Sequence, residues 1–495
     1  MSADDPTRLM VLKEILGETE LLAGNDGAVY AQFPRDGELV AYGTNWPEFM
    51  TWLKTQATER LNSIPAAHLL KQAIAEVEYN ARKGFSYPIA ARIHSDESSA
   101  VVHLGEGKML DIRASGARLN EDAGVVFPTP FNMEPLPELE DASALEVLPE
   151  ILDLSDDQCR LVLIWLMALF QPNGRYPVLI ITGPKQSGKA RVASNIRRLL
   201  DPHPVPFLPV PGSLEELKAA IRDNAILAFD DVEDVPDWLE ESLLALAKGM
   251  AISVPGRTRP VLSKHPTILV CEDLPDAPDM LENAVIVRLK ERPPQQIKDK
   301  HVLDSVFDRL WGKALGALVG VCSAALRHQS AIQLAAVHKD AALEKWILAV
   351  DKGLNLEGGL MVAFVRNLEQ ALETIVGERP ALQAFQALVK AEGAVKATGT
   401  ELLELIEPFV NGPKDARYPT SGKAMAKLLR DHERFMPEIE IEFNVRTGKD
   451  RDRNIVARCK WPKGGIGRVA MAAAPKAAGR PKREKSVAQD QPAFL

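Results

Sequence analysis

The run Tyr176–Thr182 (YPVLIIT), followed at once by Gly183-Pro184-Lys185-Gln186-Ser187-Gly188-Lys189, constrains this chain more than any other stretch. A continuous apolar, β-branched run is expected of a parallel strand buried on both faces. GxxxxGK directly after such a strand, opening a helical pattern over Lys189–Leu200, is the context a phosphate-binding loop requires. Glycines at both ends let backbone N–H groups curl around phosphate oxygens, with Pro184, Lys185, Gln186 and Ser187 as the body of the loop. The helix N-terminus adds partial positive charge, and Lys189 reaches the terminal phosphates. The next residue is Ala190, where the pattern places a Ser or Thr whose hydroxyl binds Mg²⁺. Alanine has no oxygen, so one direct metal ligand is missing.

A partner motif follows at Ala225–Asp231 (AILAFDD), an apolar strand ending in two acids. In phosphate-loop enzymes the first acid holds the Mg²⁺ water shell and a second can polarise the attacking water. Asp230 is the candidate for the metal and Asp231 for the base; solvated aspartates at a strand end are the plain alternative. Around these motifs strands and helices alternate: Leu214–Arg222 helical, Trp238–Lys248 helical, and Ala251–Val254, Thr267–Cys271 and Ala284–Leu289 as strands. That order predicts an α/β fold, a P-loop NTPase core with a parallel sheet over 173–295.

The rest of the chain divides by pattern. Residues 1–135 read as an α+β domain, with helical spacing in Glu48–Leu53 and Ala66–Arg82. A meander of Ile89–His94, Ala100–Leu104 and Met109–Arg113 follows. The Pro- and acid-rich Pro128–Glu150 reads as a linker, and 136–172 as linker plus bridging helix, capped by Ser155 with Asp156 and Asp157 in its first turn. Residues 296–395 are almost wholly helical in pattern, a helical lid. Over 396–463, Thr398–Val410 and Ser421–Phe435 read as helices, and Glu438–Val445 with Asn454–Lys460 as a hairpin: the order of a winged helix. The Ala/Gly/Pro/Lys-rich 464–495 reads as a basic disordered tail.

Composition narrows the class. The 495 residues are 46% hydrophobic and 26% charged, enough to bury cores in about three domains. The four cysteines, Cys159, Cys271, Cys322 and Cys459, form no CxxC unit, which argues against a zinc ribbon or disulfide framework. No HxxxH or HExxH pair is present, and no hydrolase elbow. The start lacks a basic n-region, and Leu161–Phe170 is about half a bilayer span. A soluble cytoplasmic protein without a membrane role is the expectation. Net charge is −9, yet Phe443–Lys485 carries 13 Lys/Arg against three acids, so an acidic body ends in a basic segment. Such a segment suits contact with nucleic acid; a solvated tail is the bland alternative.

These motifs resemble the P-loop ATPases of phage and mobile-element primase–helicases, related to superfamily-3-type, AAA+-like replicative helicases. The resemblance spans about Ser86 to Lys460. It rests on YPVLIITGPKQSGKA, AILAFDDVEDVPDWLEESLLALAKGMA, HPTILVCEDLPDAPDMLENAVIVRLKERP and LDSVFDRLWGKALGALVGVCSAALRHQ, with TGTELLELI and SGKAMAKLLRDHERFMPEIEIEF further on. It implies an ATP- and Mg²⁺-dependent DNA translocase with a winged-helix end, acting as a homo-oligomer of the hexameric-ring type beside a primase or another replication protein. Gly183, Gly188 and Lys189 would hold nucleotide and Asp230 Mg²⁺. The sequence departs from the pattern at Ala190. It also carries Val270-Cys271 where relatives place Asn-Gly, and Glu282-Asn283 where they place Asp-Arg. The segment Ser253–Lys264, with Arg257 and Arg259, is shorter than the relatives' β-hairpin.

For DNA, single- or double-stranded, the candidates are Lys423, Lys427 and Arg430 at helical spacing, and Arg446, Lys449, Arg451 and Arg453 in the hairpin turn. A helix in the major groove with a basic wing on the phosphates is a known docking mode; such domains also serve as protein-interaction modules. Gly479-Arg480-Pro481-Lys482-Arg483 resembles an AT-hook, whose arginines suit a narrow minor groove. The sequence thus reads as a helicase-type DNA-associated ATPase. A degenerate nucleotide-binding scaffold or DNA-binding regulator without turnover is the alternative. A metabolic kinase fits the basic C-terminal end poorly.

Overall fold

A computed structural model describes residues 5–35, 37–120, 124–129, 133–172, 174–252, 261–293, 295, 298–334, 337, 340–377, 379–414, 418–444 and 454–460. The chain divides into two compact units, Met1–Ile375 and Val376–Leu495.

The first unit opens with α1 (Asp5–Gly17), strands β1 (Glu20–Gly24), β2 (Val29–Arg35) and β3 (Glu38–Gly43), then α2 (Pro47–Leu61), α3 (Ala67–Ala81) and the short β4 (Ser86–Tyr87). The sheet order is β3-β2-β1-β4. One face packs its own core, in which Phe33 stacks on Trp52 at 4.0 Å beside Leu12, Phe49 and Leu70. A second sheet, antiparallel throughout, follows in simple meander order: β5 (Ile93–Ser95), β6 (Ser99–Gly105), β7 (Lys108–Arg113) and β8 (Gly116–Asn120). The expected strand Ile89–His94 is shorter than its pattern, with Ile89 making only an isolated bridge to Val126.

The segment read as a linker holds a helix at its end, α4 (Ala144–Leu152), despite Pro149 inside it. Val147, Leu148, Ile151 and Leu152 are buried there in the main core. Next, α5 (Asp156–Ala168) starts at a full capping box, in which Ser155 and Gln158 satisfy each other's backbone N–H. Two buried indoles anchor it: Trp165 donates to the Pro177 carbonyl at 2.8 Å, and Trp346 donates to the Met167 carbonyl at 2.7 Å.

The centre is a four-stranded parallel sheet built from β9 (Val178–Thr182), β10 (Leu227–Phe229), β13 (Thr267–Cys271) and β14 (Ala284–Arg288), in the order β10-β13-β9-β14. Every residue of β9 and β13 is buried, as the apolar runs predict. Connecting elements are α6 (Lys189–Leu200), α7 (Leu214–Asp223), α8 (Asp237–Lys248) and α9 (Pro278–Glu282). The run Ala251–Val254, expected as a further sheet strand, instead contributes to β11 (Met250–Ile252), which pairs antiparallel with β12 (Val261–Ser263) apart from the central sheet. The long α10 (Lys300–His328), α11 (Ala341–Gly353) and the first part of α12 (Gly359–Gly377) complete this unit. Around α10 one apolar stretch, Lys300–Ala331, is long and apolar enough to cross a bilayer, and 72% of its apolar window is buried within the fold.

The second unit contains α13 (Pro380–Glu392), β15 (Ala394–Thr398), α14 (Gly399–Ile406), α15 (Gly422–His432), β16 (Ile439–Asn444) and β17 (Asn454–Cys459). Its sheet runs β15-β17-β16, all antiparallel. The strand β15 adds to the helix, helix, hairpin order expected there.

Candidate nucleotide-binding site

The loop 183–188 leaves the C-terminal end of β9, the edge of a parallel sheet where ligands bind in open α/β folds. A Cβ on Gly183 would lie 2.6 Å from the Leu289 carbonyl oxygen, so only glycine lets the chain pass there. Gln186 and Gly188 adopt left-handed conformations, with φ of 67° and 87°, which fold the loop back on itself. Ser187 closes a turn through its N–H to the Pro184 carbonyl at 3.2 Å. Its side chain is fully buried and its hydroxyl has no partner among the described residues. Gly188 then serves as N-cap of α6 with no side-chain cap, and the first-turn N–H groups of a helix have no intrahelical partner. That arrangement is a cradle for an anion.

Lys189 stands half-buried at this helix start, and among the described residues no carboxylate pairs with it. Ala190 beside it is half-buried and brings no oxygen. Lys185 is exposed and lies 3.9 Å from Glu272, which follows β13. Burial pushes the Cys271 thiol up to about 11, with the Thr182 hydroxyl and the Lys189 charge acting in the other direction. Val270 and Cys271 are buried and apolar, so the polar pair that the resemblance places there has no counterpart in side-chain chemistry. Asn283 ends α9 just before β14, the other edge strand of the sheet, its amide spent on the Asp279 carbonyl at 2.7 Å.

Asp230 and Asp231 follow β10 on the same C-terminal edge as the loop. Asp231 is left-handed, with φ of 56°, and donates its N–H to the Asp230 carboxylate at 2.9 Å. With β13 between β10 and β9, these acids stand about 10 Å across the sheet from the loop, at ~4.8 Å per strand.

The helix carrying Lys189 is firmly held. Arg197, only 1% exposed, donates to Asn224 Oδ1 at 2.7 Å and to the Pro206 carbonyl at 2.9 Å, and pairs with Asp201 at 3.4 Å. Asp201 in turn accepts the Ile226 N–H at 3.0 Å, which ties the end of α6 to the entry of β10. On the outer side, Arg191 pairs with Asp304 at 2.9 Å and Arg198 with Asp308 at 2.8 Å on α10. The same neighbourhood contains Arg292 and Asp153, to which the sequence reading gives no role. A separate cavity of about 610 Å³ opens at the opposite, N-terminal edge of the sheet, lined by Trp46, His94, Gln171, Tyr176 and Lys264 among others. It contains none of the residues predicted from sequence.

In the second unit, Lys423, Lys427 and Arg430 are exposed along one face of α15, while Met425 and Leu429 on the other face are buried. The Arg430 guanidinium lies 4.8 Å over the Phe443 ring. Ser421 caps the helix by accepting from the Ala424 N–H at 3.2 Å. Arg257, Arg259, Arg446, Lys449, Arg451, Arg453, Arg480, Lys482 and Arg483 lie outside the described residues.

No family model matches the chain, and no curated protein matches it. Among solved structures, the apo C-terminal region of NrS-1 is 14% identical, with a TM-score of 0.39, over 90% of this chain and 98% of its own. SCCmec type IV Cch, described as an active helicase, is 10% identical with a TM-score of 0.40, over 89% and 93% of the two chains. JCV helicase is 16% identical with a TM-score of 0.23, over 43% of this chain and 59% of its own.

Proposed function

We propose that this chain is an ATP-binding, DNA-associated ATPase of the helicase or translocase type. The observation that carries the reading is the loop itself. A glycine cradle, a helix N-terminus without a side-chain cap and a half-buried lysine with no acid partner among the described residues meet at the C-terminal edge of a parallel sheet. Leaving a cation half-buried and unpaired costs stability, and a triphosphate would repay it. In this reading Gly183–Gly188 wrap the phosphates and Lys189 neutralises charge that develops on them. Asp230 would hold a Mg²⁺ ion, which would offset phosphate charge, and Asp231 would orient the attacking water. With no hydroxyl at Ala190, the Mg²⁺ ion would lack the direct side-chain ligand that a Ser or Thr supplies at this position.

The DNA part rests on the basic face of α15 and on the charge of the C-terminal segment. Assembly into a ring and work beside a primase belong to the same proposal. Steady-state ATP hydrolysis with and without single-stranded DNA tests it, alongside Lys189→Ala and Ala190→Ser. DNA-stimulated turnover that Lys189→Ala abolishes supports a motor. Silence in both the wild type and Ala190→Ser, with DNA still bound, makes the chain a DNA-binding scaffold.

A further inference from the structure

Among the cations around the loop, most are already engaged. Arg191 and Arg198 are tied to α10, Arg197 is buried in its own network, and Lys185 leans on Glu272. Arg292, just beyond β14, differs from these. Its Nε lies 4.0 Å from where a Cβ on Gly188 would sit, so the guanidinium stands against the last residue of the phosphate loop. Its terminal nitrogens donate to the Asp153 carboxylate and, at 2.8 Å, to the Asp153 carbonyl. The Nε edge, facing Gly188, has no partner among the described residues.

Asp153 is the left-handed residue that ends α4, two residues before Ser155, the cap of α5, so its position is fixed by two helices. Lys298 donates to its second carboxylate oxygen. Two cations therefore share one carboxylate, leaving a surplus positive charge beside Lys189 and the start of α6. Arg292 and Asp153 are 24% and 20% exposed and Lys298 is 55% exposed, so the Arg292 end of the cluster is the less screened by solvent. Burial raises the Asp153 carboxyl, but hydrogen bonds from Lys298 and Arg292 outweigh it and hold the group below the usual carboxylate range. An ionised, saturated Asp153 orients Arg292 without neutralising the whole cluster.

We propose that Arg292 contacts the terminal phosphates of a nucleotide held by the 183–188 loop, and that Asp153 is the positioning residue that aims it at Gly188. The inference rests on the nucleotide reading above and adds a same-chain phosphate contact to it. A guanidinium presents five donors in a rigid fork; Asp153 occupies two, and an unpaired edge suits a phosphate oxygen.

The test is binding of ATPγS and of AMP by calorimetry, using the full chain and the variants Lys189→Ala, Arg292→Ala, Arg292→Lys and Asp153→Asn, with thermal midpoints measured in parallel. Arg292→Ala should weaken ATPγS by ~10–100-fold, the range for a hydrogen bond to a charged group, while AMP binding stays unchanged. Arg292→Lys should recover part of the loss as a point charge without the fork. Asp153→Asn keeps one acceptor but loosens the aim of the guanidinium, so it should weaken ATPγS by less than Arg292→Ala does, with AMP binding and the thermal midpoint held. Wild-type ATPγS affinity in Arg292→Ala, with Lys189→Ala still defective, overturns the Arg292 proposal and leaves the nucleotide reading standing. Equal losses of ATPγS affinity and of thermal midpoint in Arg292→Ala and Asp153→Asn make the pair a structural brace and overturn it too. A wild type that binds no ATPγS removes the nucleotide reading and this proposal together.

Discussion

The carboxamide of Asn367 on α12 takes the place of a missing strand beside Ile286 on β14, accepting its N–H at 2.9 Å and donating to its carbonyl at 2.7 Å. Strand β14 is the edge of the central sheet, and Asn367 is only 3% exposed. An edge strand offers unpaired backbone groups, and burying them unpaired is costly. Helix α12 therefore closes the sheet with one side chain. Asn367→Leu should orphan both Ile286 groups and cost about 2–4 kcal/mol in urea unfolding. A loss below about 0.5 kcal/mol would mean that water or a neighbouring backbone replaces the amide.

Lys189 and Gly183 should separate binding from folding. Lys189→Ala removes a half-buried cation that has no acid partner among the described residues. Its thermal midpoint should hold or rise, while ATP affinity falls by at least ~10-fold. Gly183→Ala brings a methyl to within 2.6 Å of the Leu289 carbonyl oxygen. That variant should lose about 1–3 kcal/mol of stability together with nucleotide binding. Should Lys189→Ala also unfold more easily, the lysine is a packing residue of the loop instead of a phosphate ligand.

Strands of the central sheet and the helix after the loop were legible because β-branched runs buried on both faces, and a GxxxxGK between them, leave few alternatives. The Ser155 cap was legible for a similar local reason. Strands β1–β3 were not, because a run such as Glu20-Leu-Leu-Ala-Gly neither alternates nor stays apolar for long. Strand β15 is Ala-Val-Lys-Ala-Thr, with little β propensity, and it forms by pairing with β17, far along the chain. Helix α4 was hidden by Pro149 and its acidic surroundings, although Val147, Leu148, Ile151 and Leu152 carried the signal. In the candidate site the loop, Lys189 and the two aspartates were readable as motifs. Arg292 and Asp153 were not, since 139 residues separate them and only the turn after α4 brings them together. Asn367 was likewise invisible, because its role depends on which strand ends the sheet.

Acid should destabilise the first unit through its buried histidines. Burial and the nearby Arg92 charge hold the His103 imidazole down to about 4, where it stacks on Phe127 at 5.3 Å. Burial likewise brings His265 down to about 4. In the unfolded chain both titrate near ~6.5, so the unfolded state takes up protons first. Stability is therefore full above about pH 6.5, falls as pH drops from there toward about 4, and then levels off, by up to ~3 kcal/mol per histidine. Urea midpoints measured from pH 7 to 4.5 should fall. His103→Leu should show a shallower fall than wild type; parallel curves would remove His103 as a cause.

The basic face of α15 gives the DNA proposal its sharpest quantitative test. Lys423, Lys427 and Arg430 project from one side of a helix whose other side is anchored by Met425 and Leu429, so their charges are presented together on a fixed scaffold. Contacts to phosphate release counterions, and affinity then falls with salt at a slope of about 0.9 per phosphate on duplex and about 0.7 on single strands. Replacing all three residues by glutamine should lower the slope of log K against log salt by ~2–3. It should weaken binding evenly across DNA sequences, because phosphate contacts carry no base information. Arg430→Gln alone should do slightly more than remove one contact, since its guanidinium also lies over Phe443. An unchanged slope in the triple variant would take this face out of the DNA interface and leave the segment after it as the site of contact.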